Sequence, residues 1–357
     1  MQVLRATMFV PIALALDAAA QSQIVLPGDV LVASETLGSS SGPTSSTATL
    51  RVFDGCTGAF KYGLTDPSWL PSGAGRYVEV SPDGMIWVSD PTSQRLFRYD
   101  TNLALMCVTL AAGTNHIRGF AFESASSIWA VGGPYTSGPL VHVDGQTCTL
   151  LGQGNALGFE PVDTSWHVSG QLCVTTYVDG TGVHMVDPNT SATAQIVDCG
   201  GTLGGFLMSC DTTSSGLIVV TENAQQRIVA LDPSQVGTAQ CVWSITTTAD
   251  QYPWLAGVDI DEGQNRVYSA VRRNGTWWLE AFDMTSHNRV LSVDIGAGSI
   301  HTLAVVPGGR CEPRAYCTAG ISTNLCQPQM SASGTPSVSA GSGFVLSANQ
   351  VEGQRSG

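Results

Sequence analysis

The sequence predicts an all-β chain folded as a six-bladed β-propeller. Each blade is a four-stranded antiparallel sheet, and a C-terminal inner strand in blade one closes the ring. Three observations predict this. The composition suits β-structure rich in turns, with 43% hydrophobic residues, only 12% charged residues and 40 glycines. A short form recurs six times: an aliphatic residue, two variable positions, an apolar residue, then Asp. It ends at Asp54, Asp100, Asp144, Asp187, Asp232 and Asp283, spacings of 46, 44, 43, 45 and 51 residues. A period of about 40–50 residues is that of a propeller blade. Finally, the two ends of the array complement each other. The first copy opens on a second strand, "DVLVAS", and the last is followed by a lone strand, "IHTLAVVP".

Along the chain, residues 1–20 read as a secretory signal peptide. Arg5 is the positive n-region, Ala6 to Leu16 the apolar h-region, and Ala18, Ala19 and Ala20 the small-residue cleavage site. Pro11 and Asp17 depart from the pattern. The propeller is expected over 24–309. In blade two, "RYVEVS" is the first strand, "PDG" a turn, "MIWVSD" the second strand, "RLFRYD" the third and "ALMCVTLA" the fourth. The first strands of the next four blades are "RGFAFES", "EPVDTSWHV", "LGGFLMS" and "LAGVDID". Each recurrent Asp stands at a strand end, where its carboxylate can accept a backbone N–H two residues on and start a hairpin turn. That role is structural. The strand at 300–307 completes blade one and removes an exposed sheet edge.

Ten cysteines in an exported chain point to disulfides, and no C-x-x-C suggests a zinc site. Cys56 falls in the third-to-fourth hairpin of blade one, and Cys311 leaves the closing strand at the same face. The expected bridge is Cys56–Cys311; the remaining pairings stay open. Residues 310–357 form a Cys/Ser/Gly-rich tail, read as a possible truncated β-module in which Cys317 and Cys326 can staple a loop.

The net charge is −13 and Lys61 is the only lysine, which excludes the basic footprint of a nucleic-acid binder. After the leader no stretch reaches the length of a membrane span, so no transmembrane segment is expected. There is no G-x-S-x-G, H-E-x-x-H or P-loop. Candidate site residues therefore come from placement. The connections entering the inner strands surround one channel mouth, which gives Arg76, His116, Arg118, Glu160, Tyr252, Trp254 and His301. His116, His301 and Glu160 are the acid–base candidates. Arg76, Arg118, Tyr252 and Trp254 are the ligand-binding candidates. Glu35, Asp90 and Glu222 end second strands at that mouth and are candidate ligands for Ca²⁺ or Mg²⁺. Trp277 and Trp278, beside Arg272 and Arg273, read as a strand with one ring inward and one outward, the alternative being a carbohydrate or peptide surface.

The stretch "VEVSPDGMIWVSDPTSQRLFRYD" resembles NHL-type repeats and the related streptogramin lyase and gluconolactonase propellers, which share its P-D-G-x-[IL]-W-V core. The gluconolactonase resemblance implies a divalent metal held by Glu, Asn and Asp. Its Asn-Gly element ahead of S-P-D is absent here, where Val78-Glu79-Val80 precede Ser81. The lyase resemblance implies His and Glu with Mg²⁺. The "AYCTAG…NLCQPQ…GTPSVSAGSGF" run resembles the C-terminal segments of secreted planctomycete proteins. The expected function is a secreted, monomeric, non-catalytic binding or scaffold module for an extracellular protein, peptide or carbohydrate. The alternative is a metal-dependent lactonase or lyase.

Overall fold

The computed structural model describes residues 24–35, 48–69, 76–110, 116–132, 138–176, 182–199, 203, 206–235, 240–250, 255–296, 299–308, 311, 329–333 and 345–349. Six four-stranded antiparallel sheets follow one another around a ring. Blade one comprises β1 (Asp29–Glu35), β2 (Ala48–Asp54) and β3 (Phe60–Leu64), with β24 (Ser299–Val305) as inner strand. Blade two is β4 (Val78–Val80), β5 (Ile86–Asp90), β6 (Arg95–Tyr99) and β7 (Leu105–Val108). Blade three is β8 (Ile117–Ser124), β9 (Ser127–Gly132), β10 (Pro139–Asp144) and β11 (Thr149–Ala156). Blade four is β12 (Pro161–Trp166), β13 (Leu172–Thr176), β14 (Val183–Val186) and β15 (Thr193–Val197). Blade five is β16 (Leu207–Thr212), β17 (Ile218–Glu222), β18 (Arg227–Leu231) and β19 (Cys241–Thr246). Blade six is β20 (Leu255–Asp261), β21 (Arg266–Arg273), β22 (Thr276–Asp283) and β23 (Arg289–Gly296). In the tail, β25 (Gln329–Ser333) and β26 (Val345–Asn349) form a two-stranded antiparallel sheet. The leader and both tail cysteines, Cys317 and Cys326, lie outside the described residues.

All six recurrent aspartates do what the repeat predicted. The Oδ1 atoms of Asp54, Asp100, Asp144, Asp187, Asp232 and Asp283 each accept the N–H two residues on, at 2.8–3.0 Å. Those bonds close the hairpins between third and fourth strands. One strand starts later than its sequence suggests. "LGGFLMS" begins at Leu203, but β16 begins at Leu207. Phe206 has a φ of 72°, a left-handed conformation that cannot continue a strand, so pairing starts after it.

The second-strand pattern of apolar residues builds the core. Successive residues of a strand point to opposite faces, so a strand buried on both faces reads as a continuous apolar run. Ile86, Trp87 and Val88 are such a run, each at most 1% exposed. Trp87 packs with Phe120 and Ile128 of blade three, while Ile86 and Val88 pack with Leu31 and Leu50 of blade one. The same division repeats, so each of six apolar clusters fills one seam between neighbouring blades.

Closure is as expected. Inner strand β24 pairs antiparallel with β1, Val30 opposite Val305 and Ala33 opposite Thr302. The Cys56–Cys311 disulfide is present, with a Cα–Cα distance of 5.1 Å. Two further bridges span neighbouring blades: Cys107–Cys148 joins blades two and three, and Cys199–Cys241 joins blades four and five. Cys173 and Cys210 are buried thiols in the seam between blades four and five.

Candidate functional site

The inner strands line the ring's axis, and their registers identify which residues stand level around it. In blade two Glu79 pairs with Trp87, one residue into the apolar run of its second strand. The equivalent pairings are Ala121 with Trp129, Ser165 with Cys173, Asp211 with Val219, Asp259 with Tyr268, and Ala304 with Leu31. One level of the channel is thus Ala304, Glu79, Ala121, Ser165, Asp211 and Asp259, running from blade one to blade six. Three of its six members are acidic. Asp163 stands two residues before Ser165 and supplies a fourth carboxyl one level nearer the strand entries.

Three of these carboxyls are fastened to backbone in one repeated geometry. Each accepts the N–H of its own next residue and an N–H of the following blade's inner strand. Asp163 takes Thr164 N–H at 2.9 Å and Cys210 N–H at 3.2 Å, and it also accepts the Ser209 hydroxyl at 2.6 Å. Asp211 takes Thr212 N–H at 2.7 Å and Ile260 N–H at 3.0 Å. Asp259 takes Ile260 N–H at 2.6 Å and Val305 N–H. The aspartates stitch blade four to five, five to six and six to one. Glycines permit the close approach. A Cβ on Gly119 would stand 2.2 Å from Asp163 Oδ1, and one on Gly257, at φ +63°, would stand 2.6 Å from Leu303 N.

Burial sets the protonation of this group. Removing a carboxylate from water favours the neutral acid, and neighbouring carboxylates reinforce that. Asp163 is pushed up to about 7 by burial, against which its three hydrogen bonds act. Asp211 and Asp259 are both raised by burial and share a hydrogen bond between their carboxyls, so the pair holds on to a proton more tightly than free carboxylates do. Glu79 is raised well above the ordinary range by burial, then by Asp259, Asp163 and Asp211. Unlike the three aspartates, the Glu79 carboxyl has no hydrogen-bond partner among the described residues. It is half-buried and stands in the half of the channel that the stitches do not cross.

A cavity of about 290 Å³ lies among the ends of all six inner strands. Glu79, Phe122, Trp166, Asp211, Asp259 and Pro307 are among its lining. Thr164 also lines it; this residue is 1% exposed and its hydroxyl has no partner among the described residues. Pro82 and Pro307, which line the cavity, follow the ends of inner strands β4 and β24. The cavity therefore opens at the mouth where inner strands end, opposite the entries from which the sequence candidates were drawn.

At the entry mouth, the structure brings together two candidate pairs. Arg76 meets Asp90 at 3.4 Å, both fully buried, and stacks over Trp69 at 5.4 Å. Arg118 meets Glu160 at 3.0 Å across the seam between blades three and four, and also donates to Pro161 O. Glu222 is paired with Arg227 of the next strand in its own blade. His116 is half-buried at the start of β8. Tyr252 and Trp254, and the side chains of Glu35 and His301, lie outside the described residues. Among the described residues no group of three His, Cys, Asp or Glu side chains is placed to hold a metal ion. Asp90 and Glu222 each carry an arginine, which a metal would have to displace. Millimolar Ca²⁺ or Mg²⁺ is therefore expected to leave the Tm unchanged; a rise that Asp90→Ala and Glu222→Ala abolish would establish a metal site at that mouth. The Trp277 ring is buried and Trp278 is half-exposed, as their alternation predicts, with Arg273 stacked 4.2 Å from the Trp278 ring.

No protein-family model and no curated protein matches the chain. Solved structures do. A protein of unknown function from Bacteroides caccae aligns over 79% of this chain and 99% of its own, with 12% identity and a TM-score of 0.59. TolB from Acinetobacter baumannii aligns over 79% of this chain and 67% of its own, with 13% identity and a TM-score of 0.56. A chain of a nidogen/laminin complex aligns over 78% of this chain and 98% of its own, with 11% identity and a TM-score of 0.54. At such identities these likenesses establish the propeller architecture and leave function to be argued from the site.

Proposed function

We propose that the chain is an exported, non-catalytic binding module whose ligand seat is the channel mouth where the inner strands end. The observation that carries this reading is the cavity there, ringed by residues of all six inner strands with Glu79 in its wall. Its volume lies at the low end for ligand pockets, enough for one side chain or one sugar ring of a larger protein, peptide or carbohydrate. Binding is favoured over catalysis by the state of the carboxyls. Asp211 and Asp259 are engaged by backbone N–H groups, and the described lining includes no histidine, cysteine, lysine or arginine. Three disulfides suit an oxidising compartment, and no helix among the described residues is long and apolar enough to cross a membrane.

The test is a peptide and glycan array probed with the wild type and with Val80→Trp, which narrows the cavity at a half-buried lining position. Ligands of the wild type are expected to lose roughly tenfold or more in affinity in the variant, compared at a temperature where both proteins are folded because Val80 also packs against the core between blades one and two. Strong array binding that Val80→Trp leaves unchanged would move the seat elsewhere on the ring.

A further inference from the structure

We propose that this mouth takes an organic cation, an ammonium or guanidinium group, with Glu79 as its counter-ion. The proposal rests on reading the cavity as the ligand seat. Four carboxyls converge on the channel, and three of them are satisfied by backbone donors. Glu79 alone presents its carboxyl to the cavity without a hydrogen-bond donor among the described residues. A shielded acid with no donor lacks one half of a charge-assisted hydrogen bond, and a cation with N–H donors supplies it. Phe122 and Trp166 in the lining supply aromatic surface for the alkyl or planar part of such a group. The groups acting electrostatically on Glu79 from the neighbouring inner strands are all acidic, namely Asp163 of β12, Asp211 of β16 and Asp259 of β20. Nothing in that set repels a cation, and the chain's net charge of −13 draws one in.

The protonation balance follows. Without ligand, burial and three acidic neighbours favour the neutral acid at Glu79. On binding, its proton leaves for solvent and the cation pairs with the carboxylate, so one proton is released per cation bound. Affinity rises with pH as that release becomes easier.

Isothermal titration of the full chain with putrescine, and with a short peptide carrying one lysine, tests this at pH 5.5 and 8. At least one is expected to bind more tightly at pH 8, with proton release seen as a dependence of the heat on buffer ionisation. Putrescine alone binding identifies a free amine as the source; tighter binding of the peptide identifies a protein side chain. Glu79→Gln is expected to lose roughly tenfold or more in affinity and the proton release with it. Glu79 anchors no backbone N–H, so this variant should fold with unchanged Tm; were it to unfold, Val80→Trp reads the same loss. No binding of either cation by the wild type overturns the proposal, as does binding that Glu79→Gln leaves unaltered. Should neutral array ligands still be lost in Val80→Trp, the cavity stands as the seat and only the cationic class is refuted. Should Val80→Trp affect nothing, both readings go.

Discussion

Replacing Cys56 and Cys311 together by serine is expected to lower the unfolding free energy by roughly 5 kcal/mol. The two residues are 255 positions apart, so their bond closes nearly the whole ring into one loop. In the chain-entropy description the benefit grows with the logarithm of loop length. Cys107–Cys148 spans only 41 residues and should be worth roughly 4 kcal/mol. Cys148 is buried and Cys107 packs against the same apolar cluster, so the Cys107–Cys148 variant also loses packing and its measured loss is an upper bound for that bridge. Denaturant unfolding of the two double-serine variants measures both losses. A negligible loss for Cys56–Cys311 would show that the β1–β24 pairing alone carries the closure.

The second large effect concerns Asp163 and runs against the usual acid behaviour. Its carboxyl titrates at about 7 in the fold against 3.8 for the free group. Between those values the native state holds a proton that the unfolded chain has lost. Its stabilising contribution is full below about 3.8 and is lost as pH rises through about 7, on the order of 4 kcal/mol over the window. Asp211 and Asp259 are raised as well and push in the same direction. The protein should therefore unfold more easily at pH 8 than at pH 5. Asp163→Ala strands the N–H groups of Thr164 and Cys210 and the Ser209 hydroxyl, a cost of roughly 3–5 kcal/mol at pH 5. At pH 8 the penalty should shrink, since the wild type has by then lost its own advantage. Urea unfolding at both pH values decides it; an equal penalty at each would mean that Asp163 is ionised throughout.

The architecture was legible because its signal is local and repeated. Each recurrent Asp needs only its own hairpin, so six copies announce six blades without any knowledge of the ring. Cys56–Cys311 was legible for a related reason, since the blade-one hairpin places Cys56 and the closing strand delivers Cys311 to the same face. The channel carboxyls were not. Glu79, Asp211 and Asp259 lie inside strands, and strand register alone decides whether such a residue faces solvent, seam or axis. They belong to different blades and meet only when the ring closes. A signal existed: "VEV" and "VDI" each place one acid between apolar residues within an inner strand, and "CDT" follows an apolar run. The entry-mouth candidates were found by the opposite route, as polar residues in loops. The structure gives Arg76, Arg118, Asp90 and Glu222 partners of opposite charge within or between blades.

The exit of the closing strand has an orientational consequence. Pro307 lines the cavity, and Cys311 is bonded to blade one only four residues later. The chain up to Cys311 is thus fixed covalently to the ring on the face where the cavity opens. A force or tether applied through Cys311 would act on that face and turn it toward whatever holds the tail. The entry face, with its arginine–carboxylate pairs, would then point away. The ring would be displayed like a cup fastened at its lip.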